Sequence, residues 1–117
     1  MNIVNALASV AVRDLETAAK WYERLLGPST EAMPEVIEWH FERGGGLQVY
    51  NLPERAGRCS CTLIVRDVDE IVKHLHGHGL AQHAEPARHQ RVDTIMIKDP
   101  DGNSIALSQP KPSTLAQ

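Results

Sequence analysis

The chain has 117 residues, which fits one domain, and its charged and hydrophobic fractions are typical of a globular protein. A formal net charge of −3 provides no positive surface for nucleic acid or an anionic membrane, so we expect neither as a partner. We find no apolar run near the roughly 18 residues of a membrane-spanning helix and no signal-like N-terminus, which predicts a cytoplasmic protein.

The first half of the chain predicts one strand, one helix and two further strands. Residues 5–12 are apolar, with small residues at alternate positions, which indicates a strand. Asp14 is a good N-cap for a helix, the apolar residues after it follow helical spacing, and Gly27 ends the pattern. Two strands follow at residues 37–43 and 47–50, separated by a glycine-rich turn.

The second half repeats this order. Residues 59–65 are apolar and predict a strand, Asp67 caps a second helix, and Gly79 ends it. Three further strands are predicted, namely an irregular one within residues 80–91 and two regular ones at 93–98 and 104–109.

An internal repeat relates the two halves. Residues 12–16 recur as residues 65–69, at a constant offset of 53 that extends into the flanking strands. Each copy is too small to bury a core alone, so two copies must pack together. We therefore predict one domain over residues 1–110, made of modules at about 1–55 and 56–110. We expect residues 111–117, which follow Pro110, to form a disordered tail.

The chain is thus predicted to have the order β-α-β-β-β in each of two modules. This arrangement resembles the vicinal oxygen chelate superfamily, which includes glyoxalases, bleomycin-resistance proteins and extradiol dioxygenases. The Arg-Asp pair before each helix and the Asp-Pro-Asp-Gly-Asn turn at residues 99–103 carry the resemblance, which covers about residues 3–109. It implies an α+β, glyoxalase-like fold in which the mixed sheets of two βαβββ modules curve around a cleft, with the helices outside. It also implies a homodimer, since relatives commonly dimerise.

The resemblance also identifies four positions that hold a divalent metal in metal-dependent relatives. Carried over by register, these positions are Leu7, Gln48, Ser60 and Ala106. A catalytic divalent site needs about three protein ligands, whereas Leu and Ala cannot ligate and a neutral Ser is a poor ligand. We therefore expect no metal and no cofactor here, which argues against metal-dependent glyoxalase or ring-cleavage chemistry.

Strand alternation predicts what lines the cleft instead. Small or polar residues share the inward faces with the four former ligand positions, and a pocket with a few polar groups is typical of a small-molecule site. Trp39 and Tyr50 supply aromatic surface. The predicted ligand-binding residues are Leu7, Ser9, Trp39, Gln48, Tyr50, Ser60, Thr62 and Ala106. The alternative is a packed core, in which long side chains such as Trp39 or Met96 fill the space.

The favoured function is metal-independent binding of a small organic molecule, with sequestration of a drug or metabolite as in bleomycin-resistance proteins. One alternative is an enzyme of the lyase, isomerase or dioxygenase type. The sequence leaves open whether the protein catalyses a reaction. Such an enzyme would need metal-free acid–base groups or a relocated metal at His40, His83 or His89. His40 alternates with Glu38 and Glu42, which predicts that these three share a face. The other alternative is a protein-interaction domain.

Overall fold

The computed structural model describes residues 1–81 and 83–112, and within them the predicted order of two βαβββ modules is confirmed. Each module has one helix and four strands, and a short 3₁₀ turn at Pro53–Arg55 links the modules. In chain order the elements are β1 (Leu7–Val12), α1 (Leu15–Leu26), β2 (Glu31–Met33), β3 (Val36–His40), β4 (Gly46–Asn51), β5 (Ser60–Ile64), α2 (Val68–Gly77), β6 (Ala87–Arg88), β7 (Val92–Lys98) and β8 (Ser104–Pro110).

Equivalent aspartates start the two helices in the same way. Asp14 has φ −134° and ψ 107°, and its side chain accepts a hydrogen bond from the backbone of Glu16. Asp67 has φ −147° and ψ 107°, and its side chain accepts from Asp69 and Glu70. In both modules, therefore, an aspartate in an extended conformation lies between the strand and the helix. Its side chain accepts hydrogen bonds from free N–H groups of the first helical turn. The sequence repeat is thus a repeat of local structure.

Each module builds one mixed four-stranded sheet. Sheet 1 has the strand order β1-β4-β3-β2 and sheet 2 the order β5-β8-β7-β6. The pairs β1–β4 and β5–β8 are parallel, and the other pairs are antiparallel. The two sheets do not close around a common interior, and the molecule measures 46 × 43 × 24 Å. Each sheet thus has one face covered by its helix and one face that we call the open face.

The covered faces of both sheets share one hydrophobic core. Val10 and Val49 of sheet 1 and Ile95 of sheet 2 are fully buried in it, as is Leu75 of α2. Burial of both helices against one continuous cluster accounts for the packing of two modules that could not form separate cores.

The turn between β7 and β8 joins the modules. Asn103 is fully buried, its Nδ2 donates to the carbonyl of Ala11 at 2.8 Å, and its Oδ1 accepts from the backbone N–H of Cys59 at 2.9 Å. One side chain therefore ties the end of β1 to the start of β5. Gly102 precedes it with φ +93°, a conformation that favours glycine.

Several predicted boundaries differ from the structure. The strand predicted at residues 37–43 ends at His40, because Phe41 N–H already bonds to Gly45 O across a tight turn. Glu42 consequently lies in that turn and does not share a face with Glu38 and His40. Sequence patterning did not locate β2, and the irregular strand expected within 80–91 is only the two-residue β6.

The predicted disordered tail falls largely on residues 113–117, which lie outside the described residues. Before them, Lys111 donates its backbone N–H to Arg91 O at 2.8 Å and its ammonium group lies 2.9 Å from Asp93. Within the described part of the chain, no helix is long and apolar enough to cross a membrane.

Candidate functional site

The open face of sheet 1 carries four of the predicted binding residues. Parallel pairing places Leu7 beside Gly46 and Ser9 beside Gln48. Because side chains alternate along a strand, Tyr50 lies on the same face as Gln48. Leu7 and Ser9 are exposed, whereas Gln48 and Tyr50 are half-buried. The structure therefore brings these four side chains together on one accessible surface.

A hydrogen-bonded chain of polar groups crosses this face. Ser9 Oγ donates to Gln48 Oε1 at 3.1 Å, and Gln48 Nε2 donates to Glu38 Oε2 at 3.1 Å. The other carboxylate oxygen of Glu38 lies 2.9 Å from His40 Nε2. The bonds from His40 and then Gln48 lower the pKa of Glu38, so its carboxylate is ionised at neutral pH. We call Ser9, Gln48, Glu38 and His40 the polar row.

The open face of sheet 2 carries the other predicted small residues. Thr62 and Met96 lie on either side of Ala106 in neighbouring strands. Ala106 is 9% exposed, while Met96 is 56% exposed, so the surface here is shallow and apolar. Ser60 lies beside Ser104, whose hydroxyl accepts from the ammonium of Lys98 at 2.7 Å. Among these residues, Lys98 carries the one charge, which is positive.

The four positions of the family metal do not fit a divalent ion. Leu7 and Ala106 have no donor atom, and the Leu7 side chain covers Gly46, where an added Cβ would meet Leu7 Cδ2 at 2.6 Å. The amide of Gln48 is already bonded on both sides by Ser9 and Glu38. Ser60 is left as a neutral hydroxyl, and one such group is far short of the three ligands that a catalytic site uses.

Trp39 lies on the opposite side of sheet 1 from the polar row. It pairs with Leu47 in the sheet register, is 3% exposed, and packs against Tyr22 of α1 with a ring-centroid distance of 5.9 Å. Its indole N–H donates to Gly27 O at 2.9 Å. The structure therefore places Trp39 in the core beneath α1, away from the other predicted binding residues. The reason is that α1 covers the face on which this strand carries its apolar side chains.

The three histidines considered for a relocated metal lie in different surroundings, and two further histidines form a pair at the end of α2. His40 belongs to the polar row, whereas His83 and His89 are exposed between α2 and β7. His74 and His78 stack with a centroid distance of 4.0 Å at the end of α2, where His74 Nε2 contacts Arg24 O and His78 Nδ1 contacts His74 O. This pair satisfies helix C-terminal carbonyls, which is a structural role.

A groove lies at the seam between the modules, and of the predicted binding residues it contains Thr62. It has a volume of about 1220 Å³ and runs between the start of β1 and the end of β5. Leu26, Phe41, Ile64 and Ile71 line it among others. Glu42 and Arg66 form an ion pair across it from opposite modules. The sequence predicted a cleft between the modules but not most of the residues that line this groove, because its walls come from distant segments.

Three solved structures illustrate what this chain is similar to. A glyoxalase/bleomycin resistance protein from Catenulispora acidiphila is 32% identical, with a TM-score of 0.77 over 93% of this chain and 100% of that one. TnmS3, an antibiotic binding protein from Streptomyces sp. CB03234, is 25% identical, with a TM-score of 0.78 over 95% and 99%. A bleomycin-binding protein complexed with bleomycin is 20% identical, with a TM-score of 0.70 over 95% and 100%, and shows likeness of fold alone.

No curated protein matches the chain. The model of one protein family, however, matches residues 3–107 of the chain. The match covers nearly the whole of both modules. With the repeated βαβββ architecture already seen in the structure, the chain belongs to the Glyoxalase/Bleomycin resistance protein/Dioxygenase superfamily.

Proposed function

We propose that this protein binds a small organic molecule, a drug or a metabolite, on the open face of sheet 1 and sequesters it without a metal at the family positions. The observation that carries the proposal is the polar row, which presents oriented hydrogen-bonding groups beside apolar surface where the metal ligands are absent. The antibiotic-binding relative at 25% identity supports the same class of function.

The side chains on this face indicate what kind of ligand fits. Leu7 and Met33 are exposed apolar residues, and Tyr50 offers an aromatic ring beside them. Glu38 is an ionised acceptor with a side chain only 13% exposed, and it favours a ligand group that is cationic or donates a hydrogen bond. We therefore infer an amphipathic ligand with an apolar body and an amine or hydroxyl group directed at Glu38.

We further propose that a second copy of the chain encloses the ligand. The open faces are complementary, since sheet 1 carries Glu31 and Glu38 whereas sheet 2 carries Lys98. Ser60, Thr62 and Ala106 on sheet 2 are small, so their face can cover a ligand without filling its space. The protein would then act as a homodimer in the cytoplasm, where the free thiols of Cys59 and Cys61 stay reduced.

The 2.9 Å contact between His40 and Glu38 favours a second candidate function, namely acid–base chemistry of the lyase or isomerase type. The ionised carboxylate of Glu38 can only accept, so His40 Nε2–H is the donor of this contact and Nδ1 is the nitrogen left to exchange a proton with a ligand. The two candidates differ in what happens to the ligand. Mass spectrometry of a ligand released after long incubation should recover it unchanged from a sequestering protein and altered from an enzyme.

Isothermal titration with a panel of antibiotics that includes bleomycin tests the binding proposal. Gln48→Leu should weaken binding at least tenfold, about 1.4 kcal/mol, because it breaks the polar row, whereas Gln90→Leu at an exposed position outside the face should have no effect. Ala106→Trp should block binding with little change in melting temperature, and EDTA should leave the wild-type affinity unchanged.

Two results would contradict the proposal. One is saturable binding that Gln48→Leu and Ala106→Trp leave intact. The other is a fall of several degrees in the melting temperature of Ala106→Trp, as expected when a packed site is overfilled, together with no ligand in the panel. The second result would favour the protein-interaction alternative.

A further inference from the structure

Two carboxylates lie directly opposite each other on the open face of sheet 1. The antiparallel register of β2 and β3 pairs Glu31 with Glu38, and the register of β3 and β4 pairs Glu38 with Gln48. Like charges directly opposite on neighbouring strands repel each other. His40 lies two residues beyond Glu38 on the same face and adds an imidazole nitrogen to the pair. A cation held between these groups would offset the repulsion.

The donor atoms of Glu31, Glu38 and His40 already converge. One oxygen from each carboxylate and one nitrogen of the imidazole all lie within 4.8 Å of one another. His40 Nε2 and Glu38 Oε1 are only 2.9 Å apart. Ligands around a tetrahedral ion, at metal distances of about 2.0–2.2 Å, are separated by about 3.4 Å. Glu31 is exposed, so its side chain can close the remaining gap by rotation at low cost.

We propose that Glu31, Glu38 and His40 form a binding site for a divalent transition metal such as Zn²⁺. The site is distinct from the family positions, of which Leu7 and Ala106 have no donor atom. One imidazole and two carboxylates suit Zn²⁺ better than Mg²⁺, which prefers all-oxygen octahedral coordination. Three protein ligands leave at least one coordination position free on the open face, so a water molecule can complete the shell.

Gln48 is not a ligand of this site, but its side chain helps to orient the carboxylate of Glu38. Its amide donates to Glu38 Oε2 at 3.1 Å, which leaves Glu38 Oε1 as the oxygen next to His40. Hydrogen bonds of this kind orient metal-binding carboxylates and help to fix their geometry. We expect Gln48→Leu to weaken the metal site less than loss of a ligand does.

Titration calorimetry of tag-free protein with ZnCl₂ alone tests the proposal and does not depend on any organic ligand. We expect one saturable site per chain, a loss of affinity of at least tenfold in His40→Ala and in Glu38→Gln, and a smaller loss in Glu31→Gln. The matched controls are His78→Ala, His89→Ala and Glu35→Gln, which should bind as the wild type does. His40 and Glu31 are exposed, and circular dichroism should show that these variants fold.

Absence of saturable Zn²⁺ binding would overturn the proposal. The proposal would also be overturned if His40→Ala and Glu38→Gln bound Zn²⁺ with wild-type affinity. The same holds if only His78→Ala lost Zn²⁺ affinity, because the metal would then lie elsewhere. Equal binding of MgCl₂ that His40→Ala leaves unchanged would indicate only diffuse attraction to carboxylates. None of these results bears on antibiotic binding in EDTA, so the two proposals fail separately.

Discussion

The hydroxyl of Tyr22, in the helix of the first module, donates a 2.8 Å hydrogen bond to Asp99, in a turn of the second module. Tyr22 is fully buried and Asp99 is 4% exposed. Burial and then the negative charge of Asp99 raise the pKa of Tyr22, so the hydroxyl keeps its proton and remains a donor. This bond and those of Asn103 connect the two modules through polar groups inside an otherwise apolar core.

Tyr22→Phe should lower the free energy of unfolding by about 1–3 kcal/mol, because the buried Asp99 loses one donor that water cannot replace. Urea denaturation followed by circular dichroism measures the loss. The control is Tyr50→Phe, which removes a hydroxyl from the half-buried open face and should change stability by no more than about 0.5 kcal/mol. Equal losses in the two variants would show that the bond to Asp99 contributes nothing particular.

Asn103→Ala should destabilise the protein more than Tyr22→Phe does. It removes partners from Ala11 O, Cys59 N–H and Asp99 at once, and each buried polar group left unpaired costs about 1–3 kcal/mol. Thermal melts should show the lower midpoint for Asn103→Ala. Asn51→Ala is a suitable control, since Asn51 is exposed and binds only carbonyls at the end of β1. A midpoint for Asn103→Ala within a degree of wild type would contradict the proposed junction.

Asp93 should make the protein sensitive to acid. Hydrogen bonds from Lys111 and then Arg88 lower the pKa of Asp93 below its ordinary value of 3.8. A depressed pKa contributes stability above the pKa of the unfolded state and loses it as the pH falls through the folded value. Wild type should therefore lose urea resistance more steeply below about pH 4 than Asp93→Asn does.

Lys111→Met is the companion variant, because it removes the largest cause of the shift while leaving the carboxylate in place. Its urea midpoint should depend less on pH than that of wild type, measured between pH 6 and pH 3. If both variants follow the wild-type pH profile, the acid dependence comes from other carboxylates.

A dimer that joins the open faces should be broken by charge on sheet 2. Light scattering of the wild type at micromolar concentration should give about twice the chain mass of 12.9 kDa. Met96→Asp places a carboxylate on an exposed apolar position that would face acidic residues of the second copy in such a dimer, and it should shift the mass to that of the monomer. Val4→Asp, an equally drastic change at an exposed position before β1, should leave the dimer intact.

A wild-type monomer at millimolar concentration would remove the enclosing second copy from the proposed function. It would leave the open face of sheet 1 as a shallow, single-walled surface.

Much of the architecture could be predicted from local sequence. Asp14 and Asp67 stand at the same place in two repeated segments, and a short polar side chain before an apolar helical stripe is a local capping signal. The missing donors at Leu7 and Ala106 are likewise a matter of residue identity, which no folding can change.

Other features depended on how distant segments pack. The alternation of side chains along a strand predicted that Trp39 and Glu38 lie on opposite faces. It did not predict which of these faces α1 covers. The helix buries the Trp39 side, and the polar row is left open. β2 has only three residues, so its pattern was too short to detect, and the proximity of Glu31 to His40 follows only from its register against β3.

The sequence by itself therefore determined the two modules, their capped helices and the residue types at the four positions carried over from metal-dependent relatives, since each depends on residue identity and short-range spacing. Only the tertiary structure decided the open faces, the seam groove and the cluster of Glu31, Glu38 and His40. The pairing of the short strand β2 and the walls of the seam groove depend on contacts between residues far apart in the chain, which short-range spacing does not specify.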